Sequence, residues 1–173
     1  MAIVPDEKDW TWVLERPCPE CGFEAGAVRR EELGDLIRTN AARWPDVLAR
    51  PGVAERARDD RWSDLEYACH VRDVFRLYDE RLAMMLAEDG VEFPNWDQDA
   101  TAVEDDYAGQ DPATVARELV AAGEALAASF DAVAGDQWER TGLRSDGAHF
   151  TVDTFGRYFI HDPVHHLWDV GAA

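Results

Sequence analysis

The sequence predicts an all-α fold, a four-helix bundle with one long crossover connection. Three observations carry that prediction. Four long stretches repeat apolar residues at helical spacing, no stretch alternates strongly in the manner of a strand, and the links between the helical stretches are short apart from one. At 173 residues, with 46% hydrophobic content, seven Trp and seven Phe, the chain fits a single domain with an ample core.

Residues 1–28 read as an amino-terminal extension that carries Trp10, Trp12 and the turn "CPEC", and residues 29–173 as the bundle. The first helix is expected from about Arg29 to Ala49, where Leu33, Leu36, Ile37, Trp44 and Leu48 wind around one side, and Pro51-Gly52 marks its exit. The second opens at "WSDLE": Ser63 is a cap and Glu66, three residues on, closes a capping box. It continues to about Glu88 and sets His70 on a largely apolar face with Tyr67, Val71, Val74 and Leu77.

From Val91 to Gln110 the chain is acidic and irregular, the long crossover, with Trp96 and Tyr107 available to fold back over the bundle. Asp111 caps the third helix with Pro112 at its first position, and Val115, Leu119, Ala122, Leu126, Phe130 and Val133 form its apolar stripe. The fourth helix is expected from about Val152 to Val170.

The formal charge of -19, from 36 acidic against 17 basic residues, repels phosphate backbones and anionic lipid, which argues against nucleic acid and membrane surfaces as partners. No run is long enough to span a bilayer and "MAIVPDEKDW" has no export signal, so a cytoplasmic location is expected. All basic residues but Lys8 are Arg, which with abundant Ala, Asp and Gly suggests a GC-rich genome. The three cysteines, Cys18, Cys21 and Cys69, fit a reducing compartment. A structural zinc takes four ligands, usually two cysteine pairs, and the second pair is missing here. The ligand count therefore favours a tight turn for "CPEC", with half a zinc knuckle and a redox pair open beside it.

The stretch "HDPVHH" holds three of the five histidines. His161 and His165, four apart, share one helix face with Tyr158 and Trp168. Pro163 lacks an N–H and crowds the carbonyl of Phe159, so a kink is expected there, with a continuous helix favoured because the apolar stripe spans both sides. With His70 on a facing helix, three neutral imidazoles and one open position would make the first shell of a catalytic zinc site. A core histidine satisfied by hydrogen bonds is the plain alternative for His70. His166 points elsewhere, as a supporting or surface group, and Asp73, one turn from His70, is the candidate to orient a ligand or hold a metal-bound water.

One His on the second helix in an H-x-x-D context, within "WSDLEYACHVRDV", and an H-x-x-x-H-H cluster on the fourth, within "YFIHDPVHHLWDV", resemble the DinB-like superfamily of metal-binding bundles. That superfamily includes bacillithiol and mycothiol S-transferases and the metal-binding half of mycothiol-dependent maleylpyruvate isomerase, and the resemblance covers roughly residues 29 to 170. It implies a metal triad of His70, His161 and His165, with Asp73 as the candidate catalytic group. Pro163 and "RPCPECGF" are departures from the pattern.

The implied cofactor is a divalent metal, Zn2+ first, with Ni2+ or another first-row ion as alternatives. The implied activity is transfer of a low-molecular-weight thiol to an electrophile, and the GC-rich signature favours mycothiol as the thiol. Arg72, Arg76 and Arg157 are candidates to meet an anionic group on the substrate. A hydrolase using the same metal with water, and a non-catalytic metal-stabilised bundle, are the competing classes. A homodimer is the candidate assembly, with Trp10, Trp12 and Trp96 as contacts.

Overall fold

The computed structural model describes residues 9–173. The start of the amino-terminal extension, where the absence of an export signal was read, therefore lies mostly outside the described residues. The helices are α1 (Leu33–Ala41), α2 (Trp44–Leu48), α3 (Asp64–Ala87), α4 (Gln98–Glu104), α5 (Pro112–Asp131) and α6 (Val152–Asp169). Three short strands, β1 (Val91–Phe93), β2 (Thr141–Arg144) and β3 (His149–Thr151), form one sheet at the end of the bundle.

The expected caps are present. Ser63 Oγ accepts from the Glu66 amide while Glu66 accepts from the Ser63 amide, so both orphan donors at the start of α3 are met. Asp111 accepts from the Thr114 amide at 2.8 Å ahead of Pro112, whose missing N–H costs nothing in the first turn.

The expected single first helix is divided into α1 and α2. Pro45 supplies the reason: it has no N–H to donate, and its ring crowds the carbonyl four residues back, at Ala41, where α1 ends. The expectation of a strand-free chain is also corrected. β1 runs parallel to β2, pairing Val91 with Gly142, and β2 is antiparallel to β3, pairing Gly142 with Phe150. Strands of three or four residues are too short to display an alternating pattern. The crossover is less irregular than read, since it holds β1, α4 and a 3-10 turn at Tyr107–Gly109.

α3 packs on α5, α5 on α1, and α6 on both α1 and α3. On α5 the stripe between Leu119 and Leu126 is completed by Gly123 rather than Ala122. A Cβ at Gly123 would lie 2.7 Å from Ala41 Cβ, so the missing side chain sets how closely α1 and α5 approach. Asn40 fixes α6 to α1: its buried amide donates to Pro163 O at 2.8 Å and accepts from Trp44 Nε1 at 3.2 Å. The amino-terminal segment lies along α6 through 3-10 turns at Thr11–Leu14 and Ala25–Ala27, and Arg157 donates to Gly26 O at 3.2 Å.

Candidate metal centre

α6 runs unbroken through Pro163, so both four-residue spacings in "HDPVHH" are realised on one helix. His161 and His165 form one row of side chains. Asp162 and His166 form a second row, displaced by one residue and so by about 100° around the axis. The two rows face different neighbours. Among the described residues, two sets of donors converge with all ligand atoms within 4.8 Å of one another: His70 with Asp162 and His166, and Cys18 and Cys21 with His161 and His165.

The expected grouping of His70, His161 and His165 is thus divided between these two sets. α3 presents His70 to the Asp162 row, the row of α6 that lies against it. His166, read as a supporting group, lies beside His70, with ring centroids 4.9 Å apart.

In the first set His70 Nε2 lies 3.4 Å from Asp162 Oδ1, and His166 Nε2 lies 3.6 Å from Asp162 Oδ2. Two indoles pack on the His70 ring: Trp62, tilted at 5.2 Å, and Trp96, which stacks on it at 5.5 Å with planes 12° apart. His166 Nδ1–H donates to Asp169 Oδ2 at 2.8 Å, which leaves Nε2 directed at Asp162. Arg61 completes the row, 3.1 Å from the Asp169 carboxylate. Burial opposes charge on His166, but Asp162 and Asp169 outweigh it and raise the imidazole to about 9. Burial likewise raises Asp162, and His166 and His70 outweigh it, holding the carboxyl well below its usual range.

The donor set fits a divalent cation. Asp162 Oδ1, 3.4 Å from His70 Nε2, is buried without a hydrogen-bond partner, a condition that costs about 1–3 kcal/mol and that a cation held between the two groups relieves. Two imidazoles and one carboxylate leave further positions for an exogenous ligand. An Asp169 carboxylate behind a histidine is the usual way in which a ligand's tautomer and orientation are fixed.

In the second set Cys18 Sγ lies 3.7 Å from His165 Nδ1, and Cys21 Sγ lies 3.7 Å from His161 Nε2. Burial pushes the His161 imidazole down to about 4, with the nearby His165 adding to the effect, so His161 is neutral. Trp10 covers both rings, at 5.5 Å from His161 and 5.8 Å from His165.

Asp73 is not part of either set and does not line the neighbouring cavity. It accepts from Tyr107 Oη at 2.6 Å and pairs with Arg72 at 2.9 Å and Arg76 at 3.2 Å, so the expectation that it orients a ligand is replaced by a network that ties α3 to the crossover. Arg72 and Arg76 also meet Glu118, and Arg157 meets Asp153, which engages all three arginines considered for substrate. Trp10 and Trp96, considered as dimer contacts, pack on histidines of the same chain.

A cavity of about 450 Å3 is lined by His70, Asp162 and His166 together with Trp62, Trp96 and Tyr158, and His161 and His165 of the second set also reach it. Arg81 and Arg144 reach its wall. Among the described residues no helix is long and apolar enough to cross a membrane.

Comparison with known proteins places this geometry in context. The family model of the DinB superfamily matches residues 52–170, a span that includes His70, Asp162 and His166 and leaves out Cys18 and Cys21. No curated protein matches the chain. Among solved structures the chain is similar to YfiT from Bacillus subtilis, described as a probable metal-dependent hydrolase with an unusual four-helix bundle topology. The TM-score is 0.64 at 17% identity, over 98% of this chain and 92% of that one.

Proposed function

The chain belongs to the DinB superfamily, and on that premise we propose that it is a metal-dependent enzyme that transfers a low-molecular-weight thiol, of mycothiol type, to an electrophilic substrate. The observation that carries this reading is the position of His70, Asp162 and His166 together in the wall of a 450 Å3 cavity. Pockets of about 300–1,000 Å3 hold small organic ligands, and a water nucleophile alone needs far less room. The volume admits a small organic thiol beside the metal.

His70 and His166 would each contribute a ring nitrogen and Asp162 a carboxylate oxygen to the metal, with Zn2+ the first choice and Ni2+ or another first-row ion as alternatives. When bound, the cation supplies Lewis acidity that brings the pKa of a coordinated thiol into the neutral range. Asp169 holds the His166 ring by accepting from Nδ1–H, and Trp96 stacks on His70 while Trp62 packs tilted against it. Trp96 and Tyr158 offer flat walls against which a sugar-like thiol carrier can lie, and Arg81 adds a cationic group to the wall of an otherwise acidic protein. The thiol proton leaves to solvent as the carbon–sulfur bond forms, and the electrophile's leaving group departs with its electron pair.

With water in place of the thiol the same centre is a hydrolase, and the description of the similar Bacillus subtilis structure gives that second reading its support. One assay separates the readings. Zinc-loaded protein is given a mycothiol-type thiol with a fluorogenic electrophile, and in parallel an ester probe without thiol. Thiol transfer predicts conjugation that falls by about two orders of magnitude in His70→Ala and His166→Ala. Ester cleavage without conjugation moves the assignment to a hydrolase, and metal binding with neither reaction reduces the protein to a metal-stabilised binding bundle.

A further inference from the structure

We propose that Cys18, Cys21, His161 and His165 form a second metal site, a closed tetrahedral one that takes Zn2+ and pins the amino-terminal segment to α6. It is independent of the catalytic reading above and shares no ligand with it.

The first support is geometric. Bond lengths of about 2.3 Å to sulfur and 2.0–2.1 Å to nitrogen, at tetrahedral angles, put sulfur and nitrogen ligands about 3.6 Å apart. Cys18 Sγ–His165 Nδ1 and Cys21 Sγ–His161 Nε2 are each 3.7 Å, and all four donor atoms lie within 4.8 Å of one another. The two cysteines are not joined by a disulfide.

The backbone of "CPECGF" is folded to present both sulfurs to one point. The Gly22 amide donates to Cys18 O at 2.9 Å and the Cys18 amide donates to Phe23 O at 3.0 Å, closing a tight loop. Gly22 has φ +73°, a left-handed conformation that side chains disfavour, and it turns the chain back immediately after the second cysteine. The missing second pair of ligands, which left this motif incomplete in the sequence, comes from α6, some 140 residues away.

The chemistry of the set fits a structural zinc. Two thiolates and two neutral imidazoles around a dication sum to zero charge, which suits a place where Cys18 is 1% and His161 5% exposed. Binding forms two Zn–S and two Zn–N bonds and releases the two thiol protons to solvent. Four protein ligands leave no open position, which distinguishes this site from the three-donor centre on the cavity. Trp10, packed over both imidazoles, supplies an apolar cover.

Cobalt substitution of the full-length chain tests the assignment. Co2+ added to metal-free protein should give intense sulfur-to-cobalt charge transfer in the near ultraviolet with tetrahedral visible bands, and Zn2+ should displace both. In Cys18→Ser/Cys21→Ser the charge-transfer band should vanish and zinc content should fall by about one equivalent, while His70→Ala should keep the charge-transfer band and lose only the equivalent held at the cavity centre. A wild-type protein without charge transfer, or a double variant that retains it, would overturn the site. So would metal-free isolated protein whose Cys18 and Cys21 are found oxidised to a disulfide. The wild-type spectrum requires no variant, so misfolding of the double variant would leave the test intact. Unchanged metal content in His70→Ala counts against the cavity centre alone.

Discussion

Asp169 stands behind His166 and holds its imidazole. It accepts from Nδ1 at 2.8 Å, lies 3.9 Å from His165 Nε2, and is itself met by Arg61. Supporting carboxylates of this kind fix the tautomer that turns the other nitrogen toward a cation, and their loss typically weakens metal affinity by about 10- to 100-fold. Asp169→Asn is therefore expected to lower zinc affinity at the cavity centre by that factor in a chelator competition, with the helix content unchanged. An affinity equal to wild type would remove Asp169 from the site. At this scale the sequence was legible for residue type and spacing but not for rotation. His161-x-x-x-His165 and Asp162-x-x-x-His166 have the same four-residue spacing, and which row faces His70 depends on how α6 is turned in the bundle. Aromatic side chains flank both rows, with Trp10 over one and Tyr67 5.0 Å from His166 on the other, so the local apolar pattern does not choose between them. The signal that could have been used is the carboxylate in the second row: a half-buried Asp on a helix packed against others seeks a partner, and His70 is within reach of it.

Among the elements, the capped helices were readable because a cap is a local event: Ser63, Glu66 and Asp111 act within three residues of themselves. The sheet was not, because β1 and β2 are about fifty residues apart and each is too short to carry a period. Nor could spacing reveal that "CPEC" meets α6, since that contact exists only after the amino-terminal segment is laid along the helix. Close helix packing yields a prediction of its own. An alanine at Gly123 gains about 1 kcal/mol of helix propensity, but its Cβ would sit 2.7 Å from Ala41 Cβ and 3.2 Å from Phe75 Cε2. Ala41 is a stiff neighbour with no side-chain torsion to relax, and overpacking costs typically about 1–3 kcal/mol. Gly123→Ala is expected to lower the denaturant midpoint, and a raised midpoint would mean that α1 withdraws from α5 at no cost.

Over the whole molecule, one polar network joins three parts of the chain. Asp73 on α3 accepts from the Tyr107 hydroxyl of the crossover at 2.6 Å and pairs with Arg72, which reaches Glu118 on α5 at 2.9 Å and Gln110 at 2.7 Å. Burial raises the Asp73 carboxyl, but the Arg72 guanidinium, the Tyr107 hydroxyl and Arg76 outweigh it, and the folded-state pKa lies below the ordinary value of 3.8. A carboxyl depressed on folding stabilises the protein fully above its unfolded pKa, and that contribution is lost as pH falls through the folded value. Replacing it by an amide removes the charge and leaves Arg72 under-paired in a site where the Asp73 side chain is 14% exposed, at a cost of about 1–3 kcal/mol near neutral pH. Asp73→Asn should therefore be less stable than wild type at pH 7 by denaturant unfolding, and the gap should narrow below about pH 4 as the wild-type carboxyl takes up a proton. Because Asp73 touches neither donor set, zinc content and thiol-transfer rate should be retained in the folded variant. A stability gap independent of pH would show that packing rather than charge holds the crossover to α3. Loss of turnover in a variant that keeps its metal would return Asp73 to the catalytic machinery.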